Sequence, residues 1–202
     1  MDVAPGDWFY TYVRYMFCEG IVSGYPDGTF RPYASTTRGQ TSKIVTLAFG
    51  FEINTEGGPH FSDVGETSAF YPYIETLYNL DVVGGYGDGS FGPNNAITRG
   101  QIAKVVVGAA AVADPPNWVL DPPPTNTFED VPVGSTFFAY VEAAASHGVL
   151  QGYPCGVPPA GPCGAGNKPY FLPYAHATRA QISKVAYLAV TYLPGGPAWL
   201  AR

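Results

Sequence analysis

Apolar residues recur at helical spacing near the start of the chain. They lie three or four residues apart, at Phe9, Val13, Met16 and Phe17. This spacing predicts a helix from about Trp8 to Glu19 with one apolar face. The segment that follows, Gly24 to Phe30, has the composition of a turn, because proline presets one dihedral angle and glycine accepts a positive φ.

A second apolar face begins after a helix-start signal. Thr37 and Gln40 have the spacing of a capping box, in which the threonine hydroxyl accepts from an early backbone N–H and the glutamine side chain reaches back to the cap N–H. The apolar positions behind this box are Ile44, Leu47, Ala48 and Phe51. The pattern therefore predicts a unit of helix, loop and helix, with the second helix beginning at Thr37.

The same unit is written three times along the chain. The block Thr37–Ile44 returns as Thr98–Val105 and again as Thr178–Val185. The similarity extends upstream, where the second and third copies follow the first and second at offsets of 61 and 67 residues. One helical hairpin cannot bury its own apolar face, so we expect a mainly α fold in which three copies pack together.

The copies and their connectors divide the chain. We assign the first copy to residues 1–55, the second to 56–113, a proline-rich linker to 114–127 and the third copy to 128–193, with an unpatterned tail at 194–202. The third copy carries an insertion at 154–169. Proline makes the linker semi-rigid, and Trp118 in its middle suggests that the linker is held against the body.

The first copy lacks one residue that the other two have. Phe61 and Phe128 stand two residues before the recurring aspartate, and the equivalent of this phenylalanine would precede Met1. We therefore expect the chain to be a segment of a longer protein. No signal peptide is evident, and we expect an export signal and a cargo domain to lie outside the segment.

Composition excludes some classes of function. The net charge of −6, with only 13% charged residues, does not fit a protein that binds nucleic acid through its overall field. No apolar run reaches the roughly 18–20 residues that a membrane span needs. Aromatic residues make up 15% of the chain, which suits stacking on sugars or on neighbouring subunits.

Three arginines are the strongest candidate site residues. Arg38, Arg99 and Arg179 each follow the capping threonine, where the helix dipole disfavours a cation by about 0.3–1 kcal/mol. A compensating partner is therefore expected. One hypothesis is an anionic ligand held in bidentate fashion. The other is an ion pair with the aspartates that recur equally faithfully, which are Asp2, Asp63 and Asp130.

Tyrosines and cysteines give further candidates. Tyr25, Tyr86 and Tyr153 each follow a glycine, and they could stack on a pyranose ring or pack in the core with a hydrogen-bonded phenol. In an exported protein, Cys155 and Cys163 are expected to form a disulfide that closes the inserted loop. Cys18 is expected to be a buried thiol.

Other chemistry is not indicated. His60, His147 and His176 fall at different places in the repeat, and two cysteines without histidine make a poor zinc site. We therefore predict no metal and no cofactor. No nucleophile elbow or paired-carboxylate motif is present, so we predict that the chain is not an enzyme.

These motifs resemble the S-layer homology family. The family pattern has an opening Phe-x-Asp-Val, an aromatic first helix, Gly-Tyr-x-Asp-Gly-x-Phe-x-Pro, and Thr-Arg-Ala-Glu at the start of the second helix. The chain departs from it in places. All three glutamate positions are glutamine, at Gln40, Gln101 and Gln181. Trp8 is matched by Ala69 and Thr136, and Asp27 and Asp88 are matched by Cys155.

The resemblance implies a pseudo-threefold helical body made of three tandem S-layer homology motifs. It implies a cell-surface module that anchors proteins by binding secondary wall polysaccharide, often pyruvylated, in the grooves between motifs. The expected sugar-binding residues are then the three arginines, the three tyrosines and Trp8. An alternative hypothesis is a structural subunit of a self-assembling surface layer, sheath or extracellular filament, whose partners are other copies of the chain.

Overall fold

The computed structural model describes residues 2–194 and 196, and this part of the chain forms six α-helices joined by loops. The helices are α1 (Tyr10–Cys18), α2 (Arg38–Phe49), α3 (Tyr71–Asn79), α4 (Arg99–Ala113), α5 (Phe138–Ser146) and α6 (Arg179–Thr191). Strand-like pairing within the described residues is limited to isolated bridges. The predicted mainly α fold with two helices per copy is confirmed. Residues 195 and 197–202 of the predicted tail lie outside the described residues.

The second helix of each copy starts as its capping box predicts. In α2 the Gln40 N–H donates to Thr37 Oγ1 at 3.2 Å, and the Thr37 N–H donates to Gln40 Oε1 at 3.1 Å. The same reciprocal pair begins α4 and α6. A local signal of four residues therefore sets the start of all three helices.

The first helix of copy 1 differs from its prediction on one side. Val13 and Met16 are buried as expected, but Phe17 is 59% exposed and Cys18 is an exposed free thiol. The predictions of a core Phe17 and a buried Cys18 are wrong. Both residues lie in the last turn of α1, where the helix ends.

Helices pack between copies rather than within them. The second helices α2, α4 and α6 contact one another at the centre, and each also packs against the first helix of the next copy. The outer pairs are α2 with α3, α4 with α5, and α6 with α1. Since the last pair joins the third copy to the first, the three copies close into a ring around a shared hydrophobic core. The expected packing of three copies is confirmed.

A cycle of backbone hydrogen bonds marks the centre of this ring. The Thr36 N–H donates to Ala177 O, the Ala177 N–H to Ile97 O, and the Ile97 N–H to Thr36 O, at 2.9 to 3.0 Å. Each of the three residues belongs to a different copy and stands two residues before the first residue of a second helix. The three helix starts are thereby held together around a pseudo-threefold axis.

The linker and the insertion are both fastened. Trp118 is fully buried, and its ring stacks on His147 at 4.0 Å between centroids, so the linker is held against α5 as expected. A disulfide joins Cys155 and Cys163 in the inserted loop. The base of that loop is closed by paired backbone hydrogen bonds between Tyr153 and Tyr170.

Candidate functional site

Each of the three arginines reaches out of its own copy into the next. Arg38 donates from Nε to Phe91 O at 2.8 Å and from Nη2 to Gly84 O at 3.0 Å. Arg99 makes the same two bonds to carbonyls of copy 3, and Arg179 makes them to carbonyls of copy 1. All three side chains are buried. The arginines therefore hold neighbouring copies together through charged hydrogen bonds.

The recurring aspartates lie on the far side of the same peptide groups. Asp63 accepts the N–H of Gly92 at 2.8 Å, and this N–H shares a peptide group with the Phe91 carbonyl that Arg38 binds. In the same way, Asp2 shares one peptide group with Arg179, and Asp130 shares one with Arg99.

The second hypothesis expected direct ion pairs between the arginines and Asp2, Asp63 and Asp130. Within the described residues, none of these pairs comes within the 4.0 Å of an ion pair. The physical reason is that one polarised peptide group separates each carboxylate from its guanidinium. The aspartate also accepts the preceding N–H, for example that of Phe91 at 2.7 Å, which fixes the loop.

The helix starts themselves are closed to an anion. In α2 the first backbone N–H groups of Arg38 and Gly39 donate to Asn95 O and Pro93 O, both at 2.9 Å, and the next donates to Thr37. The equivalent groups of α4 and α6 are bonded in the same way. Donors that would otherwise form an anion site at a helix N-terminus are thus already used.

Burial and the neighbouring aspartate shift the pKa of the arginines in opposite directions. Burial lowers the pKa of Arg38, Arg99 and Arg179, because it disfavours the charged form. The neighbouring aspartate raises the pKa in each case. Arginine starts from so high a pKa that the three side chains remain cationic.

Each predicted tyrosine ring packs against one of these guanidinium groups. Arg38, Arg99 and Arg179 lie 5.0 Å from the ring centroids of Tyr86, Tyr153 and Tyr25, respectively. A phenylalanine ring of the same copy as the tyrosine lies 4.2 to 4.6 Å from each guanidinium.

The three tyrosines differ in how open they are. Tyr86 is 44% exposed, whereas the Tyr25 ring also carries the Arg31 guanidinium at 4.1 Å. The Tyr86 side chain is therefore more open to a ligand than that of Tyr25, which is half-buried.

These side chains line clefts at the seams between copies, which we call grooves. Groove 1, of about 180 Å³, is lined by Tyr25, Gln40, Lys43, Phe70 and Arg179. Groove 3, of about 200 Å³, is lined by Trp8, Arg99, Tyr153, Gln181 and Lys184. Every copy contributes to each groove. At the third seam, which we call groove 2, the repeat places Arg38, Tyr86, Gln101, Lys104 and Phe137 at the corresponding positions.

A lysine in each groove escaped the sequence analysis. Lys43, Lys104 and Lys184 stand five residues after the three arginines, and none has an acidic partner within the described part of the chain. The Nζ of Lys184 lies 5.9 Å from the Trp8 ring, which is 52% exposed. Their recurrence in the repeated block was the available signal.

The glutamines keep the structural role of the family's glutamate. Each accepts the cap N–H, and Gln181 also donates from Nε2 to the Tyr153 hydroxyl at 3.1 Å. A glutamine adds no negative charge to the groove. Lysine and arginine therefore set the sign of the charge there.

Nothing in the described residues indicates a metal centre, since no group of three potential ligands comes together. Among the same residues no helix has both the length and the apolar character of a bilayer span.

The fold and the grooves together define a class: a ring of three helical repeats whose seams present cationic and aromatic side chains. The family model described as the S-layer homology domain matches residues 2–42 and 60–103, and copies 1 and 2 are therefore S-layer homology domains. The third copy lies outside the matched segments, but it has the same capping box, arginine bonds and aspartate bonds.

Curated relatives agree with the family. The chain is 29% identical over 182 residues to an uncharacterized cell wall amidase of Bacillus anthracis, covering 90% of the chain and 33% of the relative. It is 30% identical over 130 residues to an S-layer protein of Bacillus anthracis, covering 64% and 14%. It is 29% identical over 151 residues to a cellulosome-anchoring protein of Acetivibrio thermocellus, covering 71% and 31%.

The chain thus spans a third or less of the length of these relatives. The family assignment makes it a cell-surface anchoring module located outside the cell. The S-layer homology domain is an anchoring domain and not a catalytic one, although some relatives that contain it are named as enzymes.

Proposed function

We propose that the chain is a non-catalytic module that anchors its protein to the cell wall by binding secondary wall polysaccharide in the grooves. The observation that carries this proposal is the composition of a groove. Each groove brings together three kinds of side chain from different copies. These are a lysine without an acidic partner in the described residues, an arginine with only some of its donors bonded, and an aromatic ring.

The arginines can serve structure and ligand together. Nε and Nη2 of Arg99 are taken by carbonyls, while Nη1 has no protein partner among the described residues and is not among the fully buried polar atoms. One edge of the guanidinium therefore remains for an acceptor on the sugar. Lys184 in the same groove adds a second cation.

This pair of cations favours a ligand with a carboxylate, such as a pyruvylated saccharide. The chain's net charge of −6 gives no overall attraction for an anionic polymer, so recognition has to be local. Each groove would bind modestly. Two or more grooves on one polymer would gain through effective concentration.

Sedimentation with purified cell-wall sacculi tests the proposal. We expect the protein to pellet with intact sacculi and to stay in solution after the polysaccharide has been stripped. Equal pelleting in both cases would contradict polysaccharide binding. Removal of pyruvyl groups alone separates the two parts of the proposal, because unchanged pelleting would then exclude the carboxylate but not the sugar.

Self-assembly is a second candidate, favoured by two exposed tyrosines. Tyr33 and Tyr174 occupy equivalent loop positions in copies 1 and 3, and Tyr174 is 75% exposed. Such rings suit contacts between subunits. Electron microscopy of the purified protein should show ordered sheets or filaments under this hypothesis. Monomeric particles at all concentrations would contradict it.

A further inference from the structure

Groove 3 differs from the other two grooves in the hydrogen bonding of its tyrosine. Gln181 donates from Nε2 to the Tyr153 hydroxyl at 3.1 Å. The direction of this bond is set because Gln181 Oε1 accepts the cap N–H of Thr178 at 2.9 Å, which leaves the amide nitrogen as the donor. Among the described residues, the equivalent glutamines of grooves 1 and 2 make no such bond to their tyrosines.

This bond leaves the Tyr153 hydroxyl with a hydrogen to give. A tyrosine hydroxyl is both a donor and an acceptor, and here the oxygen already accepts from Gln181. A hydroxyl that accepts one hydrogen bond becomes a stronger donor for the next. Tyr153 therefore presents a donor to groove 3, which it lines together with Arg99 and Lys184.

The inserted loop begins directly behind this tyrosine. Tyr153 and Tyr170 pair through two backbone hydrogen bonds, of 2.7 and 2.9 Å, which close the base of the insertion. Gln151 and Phe171, just outside that base, supply the two carbonyls that hold Arg99. The geometry of the base therefore sets the positions of both Tyr153 and Arg99 in groove 3.

Copies 1 and 2 fix the same position with a short turn. An aspartate two residues after the tyrosine accepts a backbone N–H across the turn, as Asp88 does from Ser90 at 2.9 Å. In copy 3 Cys155 stands in the place of that aspartate and is joined to Cys163 by the disulfide. A longer loop loses more conformational entropy when its ends are held together. The disulfide therefore takes over the role of the aspartate turn in a loop that is harder to close.

Further contacts connect the disulfide to the base of the loop. The Gly156 N–H donates to Gly161 O at 2.8 Å, which pairs the two arms of the ring that the disulfide closes. The Tyr170 hydroxyl donates to Pro162 O at 3.0 Å, and Pro162 immediately precedes Cys163. A continuous set of bonds thus leads from the disulfide to the backbone pair at the base.

We propose that the Cys155–Cys163 disulfide is a positioning element for groove 3. It holds Tyr153 so that the hydroxyl donates to an acceptor oxygen of an anionic saccharide. This donor, together with the exposed Trp8 ring in the same cleft, makes groove 3 the tightest of the three grooves. The inference rests on the proposed polysaccharide binding, and it adds which groove dominates that binding and what holds its tyrosine in place.

Nuclear magnetic resonance reads the three grooves separately in one molecule. The side-chain amides of Gln40, Gln101 and Gln181 report one groove each. The measurement is the dissociation constant of a wall polysaccharide fragment at each amide. Grooves 1 and 2 serve as the folding control for every variant, because the same three copies build all three grooves.

Four chains are compared. All carry Cys18→Ser, so that no third thiol can exchange with the disulfide. The parent chain has no other change, the opened chain adds Cys155→Ser and Cys163→Ser, and the last two chains add Tyr153→Phe to each of these. Tyr86→Phe in the parent chain is the matched control, since Tyr86 receives no such bond from its glutamine in the described residues.

We expect the parent chain to bind the fragment most tightly in groove 3. Opening the disulfide should weaken groove 3 about tenfold and leave grooves 1 and 2 unchanged, because only Tyr153 loses its position. Tyr153→Phe should weaken groove 3 about fivefold in the parent chain and change it little in the opened chain, because both changes remove the same donor. Tyr86→Phe should weaken groove 2 by less than about twofold.

Three results would overturn the inference alone: a groove 3 no tighter than the others, an unchanged affinity of groove 3 after opening, or additive losses from opening and Tyr153→Phe. A loss in all three grooves on opening would assign the disulfide to the whole fold and would also overturn it. If no glutamine amide of the parent chain responds to the fragment, polysaccharide binding itself is contradicted, and the inference falls with it.

Discussion

Replacing Arg99 by methionine tests whether the arginines hold the copies together. Arg99 is buried and donates to Phe171 O at 2.8 Å and to Gln151 O at 2.9 Å, both in copy 3. A hydrogen bond to a charged group contributes about 1.5–3 kcal/mol, so two such bonds give about 3–6 kcal/mol. Because the Gln151 bond is only part-buried, we expect a loss of about 3–4 kcal/mol in the free energy of unfolding for Arg99→Met.

Urea denaturation followed by circular dichroism measures this loss by linear extrapolation. The matched control is Lys104→Met on the same helix, where an exposed side chain should change stability by no more than about 0.5 kcal/mol. Arg99→Lys keeps the charge but loses the fork of donors, and we expect about half of the methionine effect.

The peptide group that lies between Asp130 and Arg99 leads to a second, more specific expectation. Asp130 and Arg99 act on the same peptide group from opposite sides, so Arg99→Met and Asp130→Asn should not be additive. We expect a coupling energy above about 0.5 kcal/mol in a double-mutant cycle. A loss below about 1 kcal/mol for Arg99→Met would refute the structural role and leave the arginine as a ligand residue alone.

Three further predictions concern the grooves and the loop aspartate. Lys184→Gln should weaken pelleting with sacculi and flatten its dependence on salt with little change in stability, because a half-buried cation that makes no ion pair in the described residues is lost; an unchanged salt dependence would contradict this. Trp8→Ala should weaken binding about tenfold, or about 1.4 kcal/mol, whereas Phe17→Ala, an exposed aromatic residue that lines neither described groove, should not; equal losses would argue against a sugar platform. The hydrogen bond from the Phe30 N–H lowers the pKa of Asp2 in the folded protein. Ionised Asp2 therefore stabilises the folded state above its unfolded pKa of about 3.9, and this contribution is lost as the pH falls through the folded pKa. Asp2→Asn should therefore make stability fall less steeply under acid urea titration, and an identical slope would contradict the account.

Local features of the fold could be predicted from sequence. The capping boxes at Thr37, Thr98 and Thr178 depend on residues only three positions apart, and all three form as expected. The need for packing between copies followed from the apolar faces. The sequence did not predict that each second helix packs against the first helix of the next copy, because no local signal distinguishes α1 packing on α2 from α1 packing on α6.

The site was harder to predict for the same reason. Arg99 Nε finds its acceptor on Phe171, 72 residues away, and a residue pattern cannot show that a peptide group lies between Arg99 and Asp130. The lysines were visible in the repeat, but a lysine on a helix is usually only a solvated charge. Lys184 gained importance when the ring brought Trp8 of copy 1 beside it.

The exposed turn of α1 shows a further limit. Phe17 fits the apolar spacing of the helix, yet its side chain is 59% exposed. Periodicity identifies a face but not whether a neighbour exists to bury it.

Nuclear magnetic resonance titration with fragments of the wall polysaccharide tests the central claim most directly, because it locates the ligand on the ring. The account predicts that saturable shifts concentrate on groove residues, with Lys184, Gln181 and Tyr153 among them, while signals from the exposed Phe17 and Cys18 in the last turn of α1 stay unchanged. Shifts confined to surfaces outside the three grooves, or none at saturating fragment, would contradict it.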